Sequence, residues 1–353
     1  MRIFYLLILT SVFVACNDTP EQHELPFPTW QITIDNFGSP YGDVCATRNG
    51  GCAVVRENDG QTTVLMFNAY GDQIRQVNFG KYTSEEGFAI CETHSGDLLV
   101  TGEMGADIYV AFIPSTNDTI HEMHYDFGDA LEIGRAITEA ADGSVYVCGL
   151  FNHQFGLLKL SHELEIEWTR FAGDTLNSDA LALTMLPDGN IAAVGRNLSS
   201  GFIAIFDPAG TQLRAQSLDQ VNLLVDIDIT SANEIVVAGY DDNLAGVYTL
   251  DESYQLNIIG GLQSNSGVDI NGIEYGADGL PTLLCTVFSD NESYAWLSQW
   301  SLSGGMLWNR QFMYYDGNAV ALASSDDGGF FVYGFSTYGN NFQLYKVDEH
   351  GNY

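Results

Sequence analysis

The chain has 353 residues, 46% of them hydrophobic and 16% charged. That balance supplies a large core and excludes an intrinsically disordered chain. Twelve Lys and Arg stand against 46 Asp and Glu, for a formal net charge of -34, and a field of that sign repels nucleic acid and anionic lipid headgroups.

The N-terminus reads "MRIFYLLILTSVFVAC". One Arg precedes an apolar run from Ile3 to Leu9, and small residues precede Cys16. The run is too short to span a bilayer as a helix, so residues 1–15 read as a signal peptide. The ending "FVAC" resembles the lipobox of bacterial lipoproteins. That resemblance implies cleavage before Cys16 and lipidation of Cys16, with more than one acyl chain anchoring the protein to the outer membrane. Residues 16–28, "CNDTPEQHELPFP", hold acids and prolines without a core pattern and read as a solvated tether. Asp18 and Glu21 resemble the surface-export signal of Bacteroidota lipoproteins, which implies the cell-surface side ahead of the periplasmic one.

The first strand pattern is "TWQITIDNF", residues 29–37. Beyond it a repeat begins. Turn signals stand at Asn49, Ser95, Asp142, Asp188, Ala232, Asp278 and Asp327, about 44 to 49 residues apart. A small-residue strand precedes each turn: "DVCAT", "GFAIC", "GRAIT", "DALALT", "DIDIT", "INGIE", "AVALA". An apolar run follows each: "CAVV", "LLVTG", "VYVCG", "IAAVG", "IVVAG", "PTLLC", "FFVYG". Five of these runs end in Gly: Gly102, Gly149, Gly195, Gly239 and Gly334. A polar gap of variable character leads to a third strand, such as "FGLLKL". A fourth, more polar strand such as "IEWTRF" suits an outer edge facing water. Asn-Gly and Asp-Gly supply the positive φ that tight hairpin turns need.

Seven copies of the first three strands are present, but the last copy ends at Tyr353 without a fourth. The strand at residues 29–37 supplies it, with Trp30 echoing Trp168 and Trp308. The pattern therefore predicts an all-β, seven-bladed β-propeller of four-stranded antiparallel blades over residues 29–353, closed by its N-terminal strand. The length after the signal divided by seven is about 48, which matches the period. Five cysteines follow Cys16, an odd number. Cys45 and Cys52 flank an Asn-Gly turn as diagonal neighbours, a poor disulfide geometry, so buried free thiols are expected.

The closing stretch "LWNRQF…DGNAVALASSDDGGFFVYGFSTYGNNFQLYKVDEHGN" is similar to the repeat of β-propeller lipoproteins and secreted proteins of Bacteroidota. Their blades carry Trp, Phe, Asp-Gly-Gly-aromatic, Gly and Lys-x-Asp-x-x-Gly-Asn in that order. The resemblance implies a fold and an address more than an activity.

Signatures of catalysis are sparse in the same chain. It has no Gly-rich phosphate loop after a strand and no Gly-x-Ser-x-Gly elbow. "HEMH" at His121 falls in an outer strand, where the two His face opposite sides, so no metal site is assigned there. Polar residues begin several inner strands: Asp43, Glu86, Asp179, Asp226, Asp269 and Asn318. They form a candidate ring at one mouth of the channel. Three roles are open for it: capping strand starts in a wet channel, holding a cation, or acid–base work on a glycosidic bond. No other cofactor is implied.

Loops at the same mouth carry Tyr41, Tyr82, Phe151, Tyr240, Tyr314, Tyr315 and Tyr338, aromatics suited to sugar or peptide. The first functional expectation is a non-catalytic envelope lipoprotein, a binding scaffold serving an outer-membrane complex. The alternatives are a glycan-binding or glycan-cleaving surface propeller and a structural envelope component. The partner expected is an envelope protein or a neutral glycan.

Overall fold

The computed structural model describes residues 28–353 apart from 36–37, 81–84, 117–118, 129–130, 175–176, 231, 242–243, 252, 290–291, 314–315, 338 and 340. Its 28 strands form seven antiparallel sheets of four, and each sheet is one blade of a propeller. Blades 1 to 6 run in chain order from inner to outer strand, with inner strands Gly42–Ala46, Glu85–Glu92, Ile133–Glu139, Ser178–Met185, Leu223–Ile229 and Val268–Tyr275. Blade 7 consists of Gly317–Ser324, Phe330–Ser336 and Asn341–Val347, with Trp30–Ile34 as its outer strand. Trp30 pairs with Lys346 and Ile34 with Phe342. The N-terminal strand thus closes the ring and covers an edge that would otherwise present unpaired backbone groups. Each inner strand packs against those of both neighbouring blades, with blade 7 returning to blade 1.

The second strands read as continuous apolar runs because both of their faces are covered by adjacent blades. Leu98–Met104 and Val145–Phe151 are buried on nearly every residue. Outer strands face water on one side and alternate accordingly, as Gln73–Phe79 and Gln212–Leu218 do. Seven apolar clusters result, one at each seam between blades. Cys148, Phe155, Trp168 and Phe206 fill the seam between blades 3 and 4. Fully burying one such aromatic contributes on the order of 2 kcal/mol. All five described cysteines are free thiols, and Ala46 rather than Cys45 pairs with Cys52.

The outer strands clasp the next blade at its turn. Trp30, Trp168 and Trp308 occupy one repeat position, opposite Lys346, Lys159 and Gln299. The Nε1 of Trp30 donates to Ala69 O and that of Trp168 to Pro208 O, both at 3.1 Å. A Cβ on Gly71 or Gly210 would stand 3.0 Å from the respective indole, so those glycines make room for the clasp. Arg75 repeats the contact by donating to Pro114 O at 2.5 Å.

One face of the ring carries the turns between first and second and between third and fourth strands. Twelve of them, and the turn at Asp348 that follows the third strand of blade 7, share one hydrogen-bond pattern, in which the fourth residue's N–H donates to the first carbonyl and the first N–H to the fifth. The fourth residue has positive φ throughout. Ten of the thirteen use Gly there; Leu164, Asn233 and Tyr254 are the exceptions.

Candidate functional site

The opposite face is built by a different device. The inner strands of blades 2 to 7 each carry a β-bulge that leaves one residue unpaired. Those residues are Phe88, Arg135, Leu181, Val225, Asn271 and Val320. Opposite five of the bulges stand the glycines that end the apolar runs. A Cβ at Gly102, Gly149, Gly195, Gly239 or Gly334 would lie 1.8 to 2.5 Å from an inner-strand carbonyl. The repeated Gly is therefore a close-approach residue that accommodates the bulge. Blade 1 has no register shift, and Arg56 stands where Gly would.

Five bulge residues, all but Leu181, line a mouth cavity of about 480 Å³ together with Tyr41, Asp269, Thr286, Asn318 and Phe335. Tyr41 is 53% exposed and packs edge-on to Phe88, with ring centroids 5.5 Å apart. The Arg135 guanidinium lies over the Phe88 ring at 5.2 Å, a contact worth about 0.5–1 kcal/mol near a surface. Across the cavity, Thr286 Oγ1 donates to Asn271 Oδ1 and accepts from Ala319 N–H, both at 3.0 Å. The first bond lies within blade 6, and the second joins blades 6 and 7.

The six polar residues expected to form one ring occupy two levels. Glu86, Asp179, Asp269 and Asn318 stand two residues before a bulge. Asp226 follows the bulge of blade 5, Asp43 stands at the same level in the unbulged strand of blade 1, and both lie deeper in the channel. The bulge adds one residue to a strand, so positions that look equivalent along the chain are offset in space.

The deeper level is an inter-blade joint. Asp43 accepts from Val44 N–H at 2.8 Å and from Ile90 N–H of the next blade at 3.0 Å. Asp226 accepts from Ile227 and Ile273 N–H, both at 2.8 Å. Asp228 repeats this with Ile229 at 2.7 Å and Tyr275 at 3.1 Å. Glu274 accepts from Ser324 Oγ at 2.9 Å. These four acids line a second cavity of about 390 Å³, and no Lys, Arg or His lines it among the described residues. Burial pushes Asp43 and Asp226 up to about 7 and Asp228 up to about 6. Glu274 is raised well above the usual range by burial and by the charges of Asp228 and Asp226. At the mouth, burial pushes Asp179 up to about 6 against the charges of Arg135 and Arg196.

The aromatic candidates divide in the same way. Tyr41 stands open at the mouth. Tyr240 is half-buried, and its hydroxyl accepts from Ile270 N–H. Phe151 is a correction: it is 0% exposed and stacks on Phe127 at 5.2 Å, in the core between blades 2 and 3. It ends the second strand, where the last side chain still faces the seam rather than the loop. Tyr82, Tyr314, Tyr315 and Tyr338 lie outside the described residues, as does Cys16. Loops between second and third strands also vary less in length than their polarity suggests. Asp59-Gly60, Gly105-Ala106, Asn152-His153 and Leu198-Ser199 are all two-residue hairpins.

Away from the axis, Asp107, Asp126 and Glu132 hold carboxylate oxygens within 4.8 Å of one another, a grouping not foreseen from spacing. Glu132 is fully buried, and both its oxygens accept from Phe127 N–H, at 3.0 and 2.9 Å. It serves its own loop, and burial pushes its pKa up to about 7.

No family model matches the chain, and no curated protein matches it. Solved structures do. A streptogramin B lyase is 13% identical at a TM-score of 0.68, with 90% of this chain and 97% of that one covered. The WD40 β-propeller domain of Doa1 is 12% identical at 0.63, over 90% and 97%. YCF48, solved bound to D1 peptide, is 12% identical at 0.61, over 91% and 97%. At these identities the likeness is one of fold: the chain is a seven-bladed β-propeller.

Proposed function

We propose that this protein is a non-catalytic binding propeller that holds a segment of a partner protein at its mouth. One observation carries the proposal. The bulges place side chains of four kinds from five blades around the mouth (Phe88, Arg135, Val225, Asn271, Val320), on a frame whose opposite face repeats a single turn. Variation on a fixed frame is where specificity is normally placed. YCF48, a propeller of similar fold, was solved with a peptide bound, which supports a polypeptide ligand by analogy of fold alone. At a net charge of -34, electrostatics favours a basic or neutral partner. The proposal includes an address: an outer-membrane lipoprotein anchored through Cys16, on the surface or periplasmic side, serving an envelope complex. Its support is the "FVAC" ending after an apolar run.

Two experiments test this. Cys16→Ser should abolish fatty-acid labelling; normal labelling of the variant removes the anchor. Pulldown from detergent-solubilised envelopes should lose its partner with Tyr41→Ala/Asn318→Ala and keep it with Asp142→Ala/Asp188→Ala on the turn face, at matched melting temperature. The reverse pattern places binding on the other face, and indifference to both sets removes the binding proposal.

A further inference from the structure

We propose that the seam between blades 1 and 2 holds a second binding site, on the turn face, for a small planar aromatic molecule of indole size. This site is independent of the mouth and of the binding function proposed for it. A cavity of about 290 Å³ opens at the seam, lined by Met66, Phe67, Ile74, Arg75, Leu98 and Ile113. Its walls are reachable from solvent: Met66 and Arg75 are half-buried and Ile74 is 56% exposed. Other seams show how the molecule fills this position. Across blade 3, Tyr146, Lys159 and Trp168 stand in one row, as do Phe331, Lys346 and Trp30 across blade 7. In each row the indole lies 5.9 Å from the first ring. Phe206, which ends the third strand of blade 4, adds a ring 6.4 Å from Trp168. The same row across blade 1 reads Ala53, Met66 and Arg75, and Ile113 ends the third strand of blade 2 as Phe206 ends that of blade 4. Three rings of the seam between blades 3 and 4 are thus replaced by Ala53, Arg75 and Ile113, and the cavity is the space they leave.

The chemistry of the walls narrows the ligand. Arg75 reaches blade 2 by donating to Pro114 O at 2.5 Å, which fixes its guanidinium beside the cavity. Arg214 holds the same row position in blade 4, opposite Ile205, and there Tyr254 of blade 5 lies over the guanidinium at 4.2 Å. No aromatic ring covers Arg75 among the described residues. A ring supplied from outside can stack there as Tyr254 does on Arg214, and the Met66 sulfur adds a second contact that favours aromatics. Glu92 and Ser115 line the same cavity and offer acceptors for a ring N–H, as main-chain carbonyls do for Trp30 and Trp168. An aliphatic guest meets the apolar walls but uses neither the guanidinium nor the acceptors. A volume of about 290 Å³ stands at the small end for ligand pockets, so it suits one bicyclic ring and not a peptide segment.

The test follows the ¹³C-methyl signals of methionine by NMR on the full chain, with the Met66 signal assigned by its loss in Met66→Leu. Three probes are compared: indole, cyclohexylmethanol and N-acetyltryptophanamide. Indole should move the Met66 methyl signal upfield and saturably, through its ring current. Cyclohexylmethanol should move it little, and N-acetyltryptophanamide should bind more weakly than indole. Arg75→Trp and, separately, Ile113→Phe rebuild the rings of the other seams from either side of the cavity, and each should abolish the indole response in the folded protein. No saturable Met66 response to indole overturns the proposal, and so does a response undiminished in either folded variant. An equal response to cyclohexylmethanol overturns it by reducing the cavity to general apolar surface. Tighter binding of N-acetyltryptophanamide than of indole assigns the cavity to a tryptophan side chain of a polypeptide and overturns the small-molecule site.

Discussion

The two faces of this propeller are made by opposite rules. On the turn face, thirteen loops share one hydrogen-bond pattern and one positive-φ position, filled by Gly in ten of them. On the mouth face, six bulges share one backbone geometry but display Phe, Arg, Leu, Val, Asn and Val. Repetition on the first face is demanded by backbone sterics, which restrict the residue. On the second face the backbone constraint is moved to the partner strand, onto Gly102, Gly149, Gly195, Gly239 and Gly334, which leaves the bulged side chain free to differ. Under the proposed binding function, stability and recognition fall to different residues of the same repeat.

The sharpest way to break that division is Gly149→Val. Its side chain must enter space where a Cβ alone would stand 1.8 Å from Ile133 O, directly beside Arg135. Overpacking of this kind should destabilise by about 3 kcal/mol or more, measured by urea unfolding, and capture should be lost with the fold. An unchanged midpoint would mean the bulge does not depend on glycine.

A second test sets pH against the channel. Asp43 and Asp226 have folded pKa values of about 7 through burial, above the unfolded value of about 4. The folded state therefore binds more protons in that interval. Its stability is fully present below pH 4 and is lost as pH rises through 7. The melting temperature should fall between pH 5 and pH 8, and Asp43→Asn with Asp226→Asn should flatten the slope. A rise over the same interval would contradict the channel geometry.

Smaller effects sharpen the contrast. Gly96→Ala on the turn face meets nothing within 4 Å but keeps a φ of 86°. It should cost about 1 kcal/mol in strain and leave capture intact. Tyr41→Ala at the mouth should change stability by less than about 0.5 kcal/mol and weaken capture. Calorimetry beside pulldown separates the two outcomes.

The turn face was legible in the sequence because its rule is written in residue identity: Asn49-Gly50, Asp142-Gly143 and Asp188-Gly189 announce the positive φ. Ring closure was legible by counting strands, and Trp30 sits where Trp168 and Trp308 sit. The mouth was less so. A bulge inserts one residue into a strand without breaking its apolar run, so Arg135 and Asn271 looked like ordinary members of "GRAIT" and "INGIE". A bulge before Asp226, and the lack of one in Asp43's strand, made these two look level with Glu86 and Asp269. The one available signal was the glycine ending each second strand, whose meaning depends on knowing what it pairs with. Phe151 was misplaced because the end of a strand and the start of its loop look alike in an apolar run.

Site-directed photo-crosslinking tests the central claim most directly. A photoreactive side chain at position 41, on the mouth, is compared with one at position 188, on the turn face, in the full chain in its native cells. The division of labour between faces predicts one discrete protein adduct from position 41 and none from position 188. A discrete adduct from position 188, with position 41 silent, would contradict it.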